Sequence, residues 1–113
     1  MEIHVPRFIV TGRYTAAAFK GMIANPSDRE AAARGLTESA GGKLETFYMT
    51  TGATDFTFTA VIDDAADLLA GLMVAAAAGA ISDVRTQRAF SAGEFMAIQK
   101  KAGSLAAGYK APN

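Results

Sequence analysis

With 113 residues, half of them hydrophobic, the chain suffices for one domain with a real core and leaves little room for a second. Eleven basic residues balance eleven acidic ones; the zero net charge argues against a nucleic-acid partner or a polybasic membrane contact, which need a cationic excess, and it permits self-association. No cysteine is present, which excludes disulfides, thiol nucleophiles and thiolate metal sites and fits a cytoplasmic protein.

Part of the apolar fraction is alanine, which buries little area, so a further face buried against a partner is expected to help the chain. The N-terminus, Met1 to Pro6, lacks a charged-then-apolar signal pattern. The longest apolar run, Leu72 to Ala78 and past Gly79 to Ile81, is too short to span a bilayer, which takes about 20 residues.

Val5 to Gly12 reads as a first strand, with Pro6 near its start, where a missing N–H does least harm. Alternation sets Phe8, Val10 and Tyr14 against Arg7, Ile9, Thr11 and Arg13. Thr15 is expected to cap a helix from Ala16 to about Ala24, with Phe19, Met22 and Ile23 as its apolar face. Asn25-Pro26 interrupts it. Ser27-Asp28-Arg29-Glu30 matches an S-x-x-E capping box and opens a second helical segment to about Ala40, stopped by Gly41-Gly42.

Lys43 to Thr51 reads as the second strand, with Leu44, Thr46, Tyr48 and Thr50 opposite Glu45, Phe47, Met49 and Thr51. After the short Gly52-Ala53-Thr54 turn, Asp55 to Ile62 reads as the third, with Phe56, Phe58, Ala60 and Ile62 opposite Thr57, Thr59 and Val61. Asp63 and Asp64 favour a helix N-terminus, followed by a stripe of Leu68, Leu69, Leu72, Met73 and Ala76. The fourth strand lies within Ile81 to Phe90, chiefly Val84 to Ala89. Ser91-Ala92-Gly93-Glu94 is a second capping box, opening a last helix with Phe95, Ile98, Ala102, Leu105 and Tyr109 along one stripe. Residues 110–113 read as a loose tail.

This order is ferredoxin-like, βαββαβ with a C-terminal helix, an α+β fold with helices on one face of a four-stranded antiparallel sheet. The helices can bury only one face. The other carries threonines and apolar residues rather than dense charge, so a homodimer with sheet packed on sheet, a dimeric α/β barrel, is expected.

Chemistry-bearing residues are sparse. His4, the single histidine, reads as a strand-edge residue, with haem ligation or general-base work as the sharper alternative. Asp55 either orients a ligand at a strand entrance or bonds its own turn backbone. Arg85 and Arg88, three apart, point to opposite faces; with Arg13 they either bind an anion or form ion pairs at a dimer interface. Tyr14 and Tyr48 are phenols beside apolar residues, usable as ligand contacts or as core-edge residues with a wet hydroxyl. Asp63, Asp64 and Asp67 are explained by helix capping and lack the acid spacing of a calcium loop. No phosphate-loop, dinucleotide, zinc-protease or serine-hydrolase motif occurs, so no metal or cofactor is assigned.

The stretches Pro6 to Thr15, Gly52-Ala53-Thr54-Asp55-Phe56 and Val84 to Ser91 resemble the GYD-domain family of small bacterial proteins, over about Pro6 to Glu94. Its Gly-x-Tyr-Asp signature is matched by Gly52 and Asp55, with Thr54 where tyrosine is expected, so no role of that tyrosine carries over. The resemblance implies a dimeric α/β-barrel architecture, with pockets between sheet and helices; relatives on that architecture include cofactor-free monooxygenases, lactone isomerases, haem-dependent dismutases and ligand-sensing domains. It implies a fold rather than an activity.

Two functions are weighed. The first is a homodimeric small-molecule binder, either a binder alone or a cofactor-independent enzyme, acting on an apolar or aromatic metabolite. Its pocket would be lined by residues such as Phe19, Phe56, Phe58 and Leu72, with Tyr14, Tyr48, Asp55 and Arg88 as polar candidates. The second is a non-enzymatic oligomeric scaffold or ligand-sensing module. An RNA-recognition reading needs exposed aromatics with basic flanks, and neutral charge argues against it.

Overall fold

The structure is a computed structural model that describes residues 5–112; His4 lies outside the described residues. The elements run β1 (Arg7–Tyr14), α1 (Ala16–Ala24), α2 (Arg29–Ser39), β2 (Lys43–Met49), β3 (Phe56–Val61), α3 (Ala65–Ala77), β4 (Ile81–Ala89) and α4 (Ala92–Ala106). The four strands form one antiparallel sheet in the order β2-β3-β1-β4. That is the expected ferredoxin-like topology, with each βαβ unit split by a strand of the other.

Local chemistry sets most helix ends. The Thr15 hydroxyl accepts the Ala18 N–H at the start of α1, and Ser91 with Glu94 closes a complete capping box on α4. Asp64 caps α3 through Ala66 N–H. At α2 the expectation is corrected: Asp28, not Ser27, is the cap, its carboxylate accepting the Ala31 N–H at 3.0 Å. An ionised cap also interacts with the helix dipole, which a serine hydroxyl does not match. Glu30 is thereby released from a capping box and pairs with Arg34 at 2.7 Å. The α2 C-terminus is a Schellman turn: Gly41 takes φ 91°, and the Gly41 and Gly42 amides donate to the carbonyls of Glu38 and Thr37.

Two irregularities decide which side chains face the helices. In β2 the register slips between Leu44 and Thr46, so Leu44 and Phe47 both face the helix side while Thr46 and Tyr48 share the other. Strict alternation, which placed Leu44 with Tyr48, is overturned by this bulge. In β4 the slip falls between the partners of Thr11 and Arg13, next to Asp83, which adopts a left-handed φ of 51° that aspartate tolerates better than most residues. Ile81, paired with Tyr14, and Val84, packed against the core, then both meet the helix side.

The core is Phe8, Val10, Leu44, Phe58, Ala60, Ile62 and Leu68, with Leu72, Ala33, Ala40, Phe47 and Val84 packed against it. It lies between the sheet and the α2–α3 pair. α1 does not share it: no residue of α1 is buried, and Ile23, expected on its core face, is 81% exposed. Apart from Asp67, α3 is apolar, and Leu69, Met73 and Val74 remain exposed while Leu68 is buried. α4 buries none of its residues, and its stripe of Phe95, Ile98 and Leu105 faces solvent. The radius of gyration is 17.9 Å, against about 13 Å for a compact domain of this size. Among the described residues no helix is long and apolar enough to cross a membrane.

Candidate functional site

Between the sheet and the α2–α3 pair lies a partly open cavity of about 260 Å³. Phe47, Phe56, Phe58 and Ile62 face it from the sheet side, Ala33, Leu36, Thr37 and Ala40 from α2, and Leu68, Gly71, Leu72 and Ala75 from α3. Small residues explain the space. Interiors pack to crystal-like density when side chains can reach across, and alanines and a glycine on two facing helices do not.

The aromatic wall is continuous. Phe47, Phe56 and Phe58 stack on one another with ring centroids 6.1–6.4 Å apart, and Tyr14 leans on Phe56 at 5.1 Å. Phe56 can approach because its partner on β1 is Gly12; a Cβ there would stand 2.6 Å from the Phe56 ring.

The residues singled out from the sequence divide between this cavity and other places. Tyr14, Phe56, Phe58 and Leu72 line it. Phe19 does not line it but packs edge-on against Tyr14 at 5.8 Å. Asp55 sits at the entrance of β3 and secures β1: its carboxylate accepts the Tyr14 N–H at 3.0 Å, and its own N–H donates to the Gly12 carbonyl at 2.8 Å. It bonds both its own connection, where its carbonyl accepts the Thr50 N–H at 2.9 Å, and the neighbouring strand, where its carboxylate fixes the end of β1. Tyr48 stands on the other face of the sheet, 64% exposed. Arg88 stands at the other end of β1, over the rings of Phe90 and Phe8 at 4.4 and 5.9 Å, bonding the Ala89 carbonyl and lying 3.9 Å from Glu94. That arrangement ties the start of α4 to β4. Arg85 pairs with Thr11 on the opposite face, as the spacing required.

Arg29, which was not among the residues expected at the site, also lines the cavity. In the sequence it stands inside an S-x-x-E pattern, yet Arg29, Ala33, Leu36 and Ala40 follow helical spacing, so Arg29 heads the stripe that lines the space. Its Nε is buried without a hydrogen-bond partner.

Burial pushes the Tyr14 phenol above its ordinary value, and the Asp55 carboxylate adds to this, while the nearby Arg29 guanidinium pulls it down. A proton held more tightly by the folded than by the unfolded chain stabilises the fold below the unfolded phenol value, about 10, and that stability is lost as pH rises above it. The urea midpoint is therefore expected to fall as pH climbs past about 10, and Tyr14→Phe to flatten the part of that fall due to this phenol. An unchanged slope in Tyr14→Phe would remove the coupling.

The family model of the GYD domain matches residues 8–98. The chain belongs to the GYD-domain family. Within this GYD domain, Gly52 and Asp55 fall in the β2–β3 connection, where Gly52 takes φ 97° and Asp55 holds β1 through the Tyr14 N–H. Among solved structures the GYD domain is similar to the crystal structure of MtbAldR, with a TM-score of 0.51 and 16% identity, over 80% of this chain and 59% of that one. It thus spans less than two thirds of that chain, and at this identity the likeness is one of fold. No curated protein matches the sequence.

Proposed function

We propose that this GYD domain is a homodimeric small-molecule-binding protein, whose ligand is an apolar or aromatic metabolite held between the sheet and the α2–α3 pair. The observation that carries the reading is the cavity itself: about 260 Å³ of space against a stacked aromatic wall, beside an otherwise packed core. Ligand sites are concave, mostly apolar and supplied with a few polar groups, and this one has that composition.

Binding is favoured over turnover by the chemistry of the lining. Of the lining residues only Tyr14 and Arg29 titrate, and neither is a base near neutral pH. A general acid–base step needs a group poised near the working pH. The role of ligand sensor therefore fits better than that of a cofactor-independent enzyme. The dimer is supported by Leu69, Met73, Phe95, Ile98 and Leu105, large apolar side chains left exposed on α3 and α4, by the threonine-rich outer face of the sheet, and by zero net charge.

Native mass spectrometry of freshly purified protein tests both parts. A dimer carrying extra mass that leaves on denaturation is expected. Ala75→Phe, which fills the space, should keep the dimer and lose the mass. A dimer without added mass shifts the weight to an oligomeric scaffold, and a bare monomer at micromolar concentration sinks the dimer.

A further inference from the structure

We infer that the cavity takes a small apolar or aromatic carboxylate, its anionic end bound by Arg29 and Tyr14 and its body lying along the phenylalanine wall. The inference rests on the binding reading above and adds the chemical class of the ligand.

Arg29 is a cation with unused donors. Its Nη1 donates to the Ser27 hydroxyl at 3.3 Å, its guanidinium hydrogen-bonds the Tyr14 phenol, and among the described residues it joins no ion pair. The nearby carboxylates are committed: Asp28 to the Ala31 N–H, Glu30 to Arg34, Asp55 to the Tyr14 N–H. Nε is buried with no protein acceptor, which costs free energy; closed to solvent, it leaves the contact with a ligand to the terminal guanidinium nitrogens. The Tyr14 hydroxyl interacts with Arg29, and a phenol, whose ordinary value is about 10, is protonated at neutral pH, so it adds a second donor.

The rest of the wall dictates the other end of the ligand. Phe47, Phe58 and Leu72 offer no polar group, so the body must be apolar, and flat rings match the stacked phenylalanines. The volume suits on the order of ten non-hydrogen atoms. One guanidinium balances one negative charge, and its planar fork matches the two oxygens of a carboxylate; a phosphate dianion would remain half neutralised.

Calorimetric titration of the full chain with 3-phenylpropionate and with its neutral isostere 3-phenylpropanamide tests the class. The acid is expected to bind about tenfold to a hundredfold more tightly than the amide. Arg29→Gln, verified as folded by circular dichroism, should bring the acid down to the level of the amide and leave the amide unchanged. The wild-type comparison decides even if that variant fails to fold. Equal affinities in the wild type overturn the carboxylate inference and leave the binding reading standing, provided Ala75→Phe abolishes both. Binding of neither compound at millimolar concentration overturns both.

Discussion

Phe58→Ala is expected to destabilise the fold by about 3–5 kcal/mol, the usual cost of deleting a buried aromatic ring. The ring is 7% exposed. It lies on β3 opposite Val10 of β1 and Phe47 of β2, so it joins three strands under the helices and stacks with both neighbouring phenylalanines. The site cannot collapse easily, because one side already borders the cavity and the other is backbone. Domains of this size are stable by about 5–15 kcal/mol in total, so the loss is a large share of the whole. Urea unfolding at one fixed protein concentration checks it, since an oligomer's midpoint moves with concentration. The midpoint should drop with little change in slope, and Phe58→Leu should lose much less. A cost under about 1 kcal/mol for the alanine variant, the ordinary cost of a point mutation, would contradict the placement of this ring.

Gly12→Ala is expected to cost about 1–3 kcal/mol through overpacking, where glycine-to-alanine in a strand ordinarily gains about 0.5–1 kcal/mol. The sign is therefore the test. The new Cβ would meet the Phe56 ring at 2.6 Å, and that ring is held by Tyr14, Phe47 and Phe58 and cannot swing away. In a Phe56→Ala background the clash disappears and the same change should become neutral or favourable. A double-mutant cycle measures this directly, with a coupling of about 0.5–3 kcal/mol expected for residues in contact. If Gly12→Ala costs the same with and without Phe56, the close approach does not explain the glycine.

Much of this structure was legible in the residues. Thr15, Ser91 and Asp64 cap the helices they were expected to cap, because a cap is a bond between a side chain and amides two or three residues away. Phe56, Phe58 and Ile62 are on the buried side of β3, because unbroken alternation leaves one face apolar. The Asp28 cap departed from the expectation by one residue, where two adjacent capping residues competed and the charged one won.

The candidate site was only half legible. Tyr14, Phe56 and Phe58 were identifiable as aromatics on strands. Phe47 was not, because a bulge between Leu44 and Thr46 moves it to the helix side, and a bulge depends on pairing with a strand rather than on the strand's own residues. Tyr48 moved to the outer face for the same reason. Arg88 drew attention as a charge on a strand, but its guanidinium is occupied by Phe90, Phe8 and Glu94 around the start of α4.

The sequence by itself determined the elements, their order, the ferredoxin-like topology and the family. These follow from interactions between residues close along the chain, and from the few ways βαββαβ units can be connected. Tertiary structure alone decided which faces are buried across the two bulges, that α1 and α4 leave their apolar stripes uncovered, and that Arg29 shares a cavity with Tyr14. Each of these depends on groups far apart in sequence, and on the gap that short side chains on α2 and α3 leave above the sheet.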